Sequence, residues 1–534
     1  MPVAVSFPGV YVEELPSGVR TITGVATSIT AFVGRTAMGT PEPTVINSYG
    51  DFERQFGSLD PAYPLGYAVR DFYQNGGAQA VIVRLYKKKS GEGVNDTARI
   101  SLTNLDLLAS STGAWGNTLR VRIDDKVSED VATRYGLAKT DLFNLTVRRG
   151  SDGATEMFVN VTVKESPRRV DRVLLNESAL LRVDTTTTTL PGTTVPPPHQ
   201  AAAAGKTIWT DDNASAPVAD AGKASDSDPL DDAAYQGSSA AKSGIYALMK
   251  TDLFNLMSIP PDTREGDTSS AVYSSALDLC VQRRALLIVD PPAAWKSADA
   301  IVANNNQKLT DLALTGTRAR NAALFFPRVR APDPKRDGQV DTFAPSGAIA
   351  GLMARTDGNR GVWKAPAGVD AALSGVQGLA ANLTNEENGQ LNPVGVNCLR
   401  TFPIIGTVAW GSRTLRGADL LADEYKYIPV RRTALYIEES LYRGLQWVVF
   451  EPNDEPLWAQ IRLNAGAFMH NLFRQGAFQG SSPRDAYFVK YDRETTTQND
   501  INLGIVNVVI GFAPLKPAEF VIIQLQQMAG QIDV

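Results

Sequence analysis

Histidine and cysteine are nearly missing from this chain, with two of each among 534 residues. Cys280 lies in a helix-like stretch and Cys398 in a loop-like one. Two cysteines cannot build a disulfide scaffold, which points to synthesis in a reducing compartment. Two histidines leave little for nucleophilic chemistry, because a serine or cysteine hydrolase needs a positioned base, usually an imidazole. His199 stands beside three prolines in a low-complexity stretch, too mobile a context for a base, and His470 falls inside a helical pattern. Neither has a second imidazole nearby with which to hold a metal. No apolar run approaches the roughly 18–20 residues that a membrane helix needs. Met1–Val12 has neither the basic nor the apolar region of a signal peptide. An excess of positive charge is missing too: the net charge of -5 argues against a dedicated nucleic-acid surface, although the last third carries local basic patches.

Motifs that come close to known chemistry fall short of it. Gly205-Lys206-Thr207 has the end of a phosphate-binding loop, but Gln200 stands where the first glycine belongs and no buried strand precedes it. The acidic run Asp226, Asp228, Asp231, Asp232 lacks the turn glycine and terminal glutamate of a calcium loop. Glu438 and Glu439 are helix neighbours, so they diverge and cannot flank one substrate. No cofactor or metal is expected.

What is present is a βαβ rhythm. Apolar segments 29–34, 80–85, 252–259, 285–290 and 322–326 read as buried strands, with helices over 65–74, 269–284 and 297–313 between them. Strands of that kind, separated by helices, imply a mixed, largely parallel sheet covered on both faces, the core of a multidomain α/β protein. From 91 to 183 the pattern becomes alternating, as in half-buried strands, at 118–123, 143–149 and 157–163. Residues 184–240 hold five consecutive threonines, three prolines, four alanines and then Asp, Ser and Ala. So little apolar side chain predicts an exposed, poorly ordered loop. Near the C-terminus, 430–446 and 455–475 read as amphipathic helices, the second capped by Asp454 with Pro456 in its first turn. Strands are expected at 505–512 and 519–525.

Both ends carry strand-forming arms. Val3, Val5, Phe7, Val10, Tyr11 and Val12 form one, broken at Pro8-Gly9; Phe520, Val521, Ile522, Ile523 and Leu525 form the other. An unpaired strand exposes main-chain donors and acceptors. Two solutions are open: pairing inside the subunit, or donation to a neighbour's sheet, which joins chains by backbone hydrogen bonds. Donation that repeats without closing builds a filament.

Several short runs resemble one known family. They are Pro8-Gly9-Val10-Tyr11-Val12-Glu13-Glu14, Gly24-Val25-Ala26-Thr27-Ser28, Phe72-Tyr73-Gln74-Asn75-Gly76-Gly77, Gly113-Ala114-Trp115-Gly116-Asn117, Arg355-Thr356-Asp357 and Lys364-Ala365-Pro366-Ala367-Gly368. In the C-terminal part, Phe450-Glu451-Pro452-Asn453 and Phe512-Ala513-Pro514-Leu515-Lys516-Pro517-Ala518-Glu519 continue the series. Together they are similar to contractile tail sheath proteins, of phage tails and of extracellular contractile injection systems. The resemblance implies a terminal arm at 1–20, a central α/β domain from 21–90 plus 245–390, and an inserted outer β-rich domain at 91–244. It places an inner sheath domain at 391–518 and a second arm at 519–534. It implies a structural subunit, not an enzyme, that stacks as hexameric rings around an inner tube and contracts from a metastable extended state without nucleotide hydrolysis. Its partners would be itself, the tube protein, and baseplate and tail-terminator or cap proteins, with no nucleic acid and no membrane insertion. Assembly would take place in the bacterial cytoplasm, as part of a phage tail or a related particle released outside the cell. Arg431, Arg432, Arg443, Arg462 and Arg474 lie on or near the C-terminal helices that the resemblance puts nearest the tube. The competing reading is a soluble α/β hydrolase-like enzyme with a β insertion; a tail-tube or baseplate component fits the βαβ centre less well.

Overall fold

The structure is a computed structural model that describes residues 21–91, 95–492 and 495–525. The chain divides into two compact units, one from Ser28–Arg355 and Ala367–Glu424, the other from Met1–Thr27, Thr356–Pro366 and Tyr425–Val534.

The first unit is built on an eight-stranded sheet. From one edge the order is Gly406–Ala409, Val396–Phe402, Ala322–Phe326, Leu286–Val289, Leu256–Ser258, Thr30–Arg35, Ala80–Leu85 and Thr44–Ile46. The six inner strands run parallel, and only the two edge strands are antiparallel. Every residue of Thr30–Arg35 and Ala80–Leu85 is buried. That explains why these segments are continuously apolar and do not alternate: a sheet covered on both faces has no wet side. Helices Pro64–Gln74, Ser270–Gln282 and Ala298–Thr310 make the crossovers. Ser269 and Ser297 cap the last two by accepting from the backbone of Val272 and Ala300, each such cap contributing about 1 kcal/mol.

Two expectations fail here. Cys398 is not in a loop but in the buried strand Val396–Phe402, within the same apolar core as Cys280. With that strand, 391–424 belongs to the sheet unit, so the boundary expected near 390 falls at Glu424–Tyr425. Burial pushes both thiols up, Cys398 to about 12.

Residues 98–224 carry an apolar core of their own, from Ala98 to Ala224. Strands Leu119–Asp124, Phe143–Arg149 and Thr155–Val161 form an antiparallel meander, beside a three-stranded sheet of Arg99–Leu102, Leu105–Ala109 and Leu181–Val183. The segment 184–240 is irregular over most of its length, but it is not a free loop. Ala216–Pro217 pairs antiparallel with Arg120 and Val121 at the edge of the meander. Arg120 donates to Ser215 and Asp212, and Arg122 to the carbonyls of Gln200 and Ala214. Composition underestimated its order because the strap is held by polar groups and main chain, with little apolar burial. His199, expected to be mobile, is among the residues so held.

The second unit packs helices Ile428–Gly444 and Glu455–Arg474 with a two-stranded ribbon, Tyr487–Lys490 against Val509–Phe512. Ile22, Ile437, Ala465, Phe468, Met469 and Leu472 form its core. Asp454 caps the second helix and Pro456 occupies its first turn. The strand expected over 505–512 shortens to its last four residues. Phe520–Leu525 is not a strand in this chain; it runs exposed with no sheet partner among the described residues. Val3, Val5, Phe7, Val10, Tyr11 and Val12 lie outside the described residues.

Candidate assembly surface

A catalytic centre would need a base, and neither imidazole is placed to serve as one. His199 is bonded to the backbone of Ile123, and His470 lies 3.2 Å from the hydroxyl of Tyr487. The nearest thing to a constellation is buried where the parallel strands end. Asp290 accepts from the backbone N–H of Ser346 at 2.8 Å and from its hydroxyl at 2.7 Å, and the Ser258 hydroxyl is 2.8 Å from that of Ser346. Burial pushes the Asp290 carboxyl up to about 6 against the pull of the Ser346 bonds. This group terminates helix Ser346–Arg360 onto two strands: it is a helix cap and has no imidazole. The acidic run is also spoken for. Asp226 accepts from Ala114 N–H, while Asp231 caps Asp232–Gln236 and pairs with Lys87. Among the described residues no cluster of three His, Cys, Asp or Glu could hold a metal, and no helix is long and apolar enough to cross a membrane.

The exposed features of the second unit are of another kind. Phe520, Val521, Ile522, Ile523 and Leu525 are between 75% and 94% exposed, five large apolar side chains in six residues. The ribbon Tyr487–Lys490/Val509–Phe512 has two edges, and among the described residues only the single bridge Phe478–Pro514 adjoins it. Phe488 and Val509 on it are half exposed.

The five arginines divide. Arg432 is buried; its guanidinium meets Asp357 through Nη1 at 2.8 Å and Nη2 at 2.5 Å, and Nη2 also donates to the Thr27 carbonyl. Its assignment to an outer contact is therefore withdrawn: a guanidinium paired out of water is costly to extract. Arg431 pairs with Glu438 and lies over the Tyr425 ring. Arg443 pairs with Glu439, and Arg462 with Glu455 and the Tyr491 carbonyl. Arg474 is exposed and ion-pairs with no described residue.

Sequence reasoning passed over the segment just before the first sheet strand. Ile22 is buried against helix Ile428–Gly444, and a Cβ on Gly444 would lie 2.6 Å from its Cγ2. A Cβ on Gly24 would meet the Tyr436 hydroxyl at 1.9 Å. Val25 N–H donates to Ser440 Oγ, and the Thr27 hydroxyl to Asp357 at 2.7 Å. The only available signal was that Gly24–Thr27 and Asp357 fall in two separate runs of the family resemblance.

Several solved structures share this fold. The chain aligns with a chain of an anti-feeding prophage baseplate at 22% identity, covering 98% of this chain and 100% of that one, with a TM-score of 0.56. A chain of an extracellular contractile injection system, the PVC sheath complex in its contracted state, aligns at 21% identity over 98% of both chains with the same TM-score of 0.56. A sheath tail protein from Listeria innocua gives a TM-score of 0.58 at 12% identity, over 93% of this chain and 96% of that one. These define the class by fold. Two family models then match in sequence: the phage tail sheath protein central domain over residues 239–415, and the phage tail sheath C-terminal domain over 422–528. Between them they take in more than half of the chain, which belongs to the phage tail sheath protein family, a family of structural proteins and not of enzymes. The tail sheath protein of Vibrio phage KVP40 is 30% identical over 128 residues, a match that covers 24% of this chain and 19% of that protein's length.

Proposed function

We propose that this chain is the sheath subunit of a contractile tail or injection particle. It polymerises as stacked hexameric rings around an inner tube and contracts to drive that tube through a target envelope. The observation that carries the reading is Phe520–Leu525: five large apolar side chains left in solvent on an extended, unpaired stretch. Such a stretch is an aggregation hazard unless a partner covers it. A second copy of the same chain offers the matching part, a ribbon that is two-stranded among the described residues and carries half-exposed Phe488 and Val509. Adding Phe520–Leu525 of one subunit to the ribbon of the next pairs the main chains and covers the apolar faces together, a head-to-tail contact that propagates. The arm at 1–20 is assigned the same role from its composition, with Val3, Val5, Phe7, Val10, Tyr11 and Val12 as its strand residues.

Arg431, Arg443, Arg462 and Arg474 form a basic rim for the tube. Exposed charge pairs contribute only about 0–1 kcal/mol each, so several together hold and still let go. The energy of contraction is stored in the extended lattice, so no nucleotide site is needed. Baseplate and terminator proteins close the two ends of the stack, and the domains follow the inserted outer and C-terminal inner arrangement given above, with the inner domain taken from Tyr425. The particle is assembled in the bacterial cytoplasm and acts as a phage tail or a released injection device.

The test is negative-stain electron microscopy of the protein expressed alone and with its tube protein, full length and lacking 520–534. Striated tubes from the full chain and dispersed monomers from the truncation are expected. Tubes of normal length from the truncated chain would overturn the exchange.

A further inference from the structure

Ile22 and Glu519, described residues that adjoin the two arms, meet opposite ends of one helix. At the C-terminal end of Ile428–Gly444, Ile22 packs against Gly444. One turn back, Val25 N–H bonds Ser440, and a turn further Gly24 presses on Tyr436. One turn from the other end, Arg432 and Asp357 together grip Thr27 through its hydroxyl and its carbonyl. The segment 22–27 thus lies along most of the helix and is bonded or packed at every turn. At the N-terminal end, the Tyr427 hydroxyl donates to Glu519 at 3.2 Å, immediately before the exposed stretch begins. The chain leading there is itself fixed: Ala513 N–H donates to the Ala486 carbonyl and Gln479 N–H to the Ala513 carbonyl. All of these contacts lie in one compact unit.

We infer that helix Ile428–Gly444 is the tie-rod of the assembly, with Asp357, Arg432 and Thr27 as the clamp that fastens the N-terminal arm to it. This rests on the exchange of arms proposed above. If neighbours hold a subunit by its two arms, any pull enters at Ile22–Thr27 on one side and at Glu519 on the other. The shortest continuous path between them is a helix of 17 residues, about 25 Å of hydrogen-bonded backbone. The two close approaches at Gly24 and Gly444 are what this demands, since a larger side chain at either would lift the segment off the helix. The clamp uses an ion pair in place of apolar packing because a bidentate guanidinium–carboxylate pair is directional and resists sliding along the helix.

The inference separates holding from joining. Strand exchange alone is enough to assemble the sheath at rest; the clamp matters when bodies move. The experiment uses whole particles with tube and baseplate carrying Thr27→Val, Arg432→Met or Gly444→Ala, triggered to contract with mild denaturant and counted by electron microscopy. A control, Arg264→Met, breaks the buried Arg264–Asp333 pair of the other unit. Normal numbers of extended particles that break into short stacks on contraction are expected for the clamp variants, with whole contracted sheaths from the control. Whole contracted sheaths from Thr27→Val and Gly444→Ala would overturn the inference, whether or not Arg432→Met assembles. Equal breakage in the control would overturn it too, since general weakening would then explain the loss. If particles lacking 520–534 assemble and contract normally, the arm exchange itself fails, a result distinct from either.

Discussion

His199 and Ile123 bind each other twice. The imidazole Nδ1 accepts from the Ile123 N–H at 3.0 Å, and the His199 N–H donates to the Ile123 carbonyl at 2.9 Å. The pair continues, at the edge of strand Leu119–Asp124, the ladder that Ala216–Pro217 makes with Arg120 and Val121. Nδ1 can accept only while it carries no proton. Burial and then the neighbouring Arg122 and Arg120 cations hold the imidazole below its ordinary value of 6.5. Arg120 itself is bonded to the carboxylate of Asp212.

A histidine lowered on docking favours the neutral form, so its contribution is present above about pH 6.5 and is lost as pH falls from there through the lowered value. The strap should therefore loosen in acid. Hydrogen-exchange protection of the Ile123 amide should drop between pH 7.5 and pH 5, and His199→Ala should be weakly protected at both. Equal protection in the native chain at both values would remove the idea.

Asp290 behaves in the opposite sense. Its carboxyl is raised to about 6, so ionising it in the folded state costs stability as pH climbs from about 4 through 6. Asp290→Asn keeps an acceptor for the Ser346 N–H and should flatten the melting temperature between pH 5 and 7. Asp290→Ala strands the helix end and should cost about 1–2 kcal/mol at pH 5 in denaturant unfolding, and less at pH 7 where the native carboxyl is itself a burden. An Asn variant with the native pH slope would place the titration elsewhere.

Glycine positions offer a paired comparison. Gly24→Ala drives a methyl into the Tyr436 hydroxyl, while Gly358, inside helix Ser346–Arg360, has open space around it. Calorimetry should show Gly24→Ala lowering the melting temperature and Gly358→Ala raising it, the second by about 0.5–1 kcal/mol from helix propensity. Equal effects would mean the segment 22–27 does not press on the helix.

Alternation tests the donated strand. In a paired strand, Phe520 and Ile522 face one side, Val521 and Ile523 the other. Lysine at one of these two pairs should abolish striated tubes and lysine at the other should be tolerated. Tolerance at both would mean that Phe520–Leu525 is not a strand in the assembly.

Among the basic side chains, Arg474→Glu should reduce tube co-purification most, since Arg431, Arg443 and Arg462 already answer carboxylates of their own unit. Combined reversals should add roughly in proportion, and the loss should deepen with salt. A fourfold reversal that leaves co-purification untouched would remove the rim.

The sheet was readable because its strands had no alternative. Runs such as Ala80–Leu85 and Ala322–Phe326 are too short and too apolar to be surface helices, and each is bracketed by turn residues. Cys398 was misplaced because strand Val396–Phe402 ends in polar, half-exposed residues and joins an edge. The strap escaped for a different reason: its anchors, Arg120, Arg122 and Ile123, stand far in sequence from the groups they hold, and polar composition says nothing about whether partners exist. Arg432 looked like its neighbours, and only Asp357, 75 residues earlier, reveals that it is internal. At the C-terminus, apolar content was legible while partnership was not: Phe520–Leu525 has no sheet partner among the described residues.

The two sealed thiols have a consequence for life outside a cell. Cys280 and Cys398 lie within one apolar core, and desolvation disfavours the thiolate that oxidation and disulfide exchange require. A particle made of many such chains presents no reactive sulfur from these positions to air or to its neighbours. It can therefore wait in an oxidising medium without disulfides from these positions welding one copy to the next.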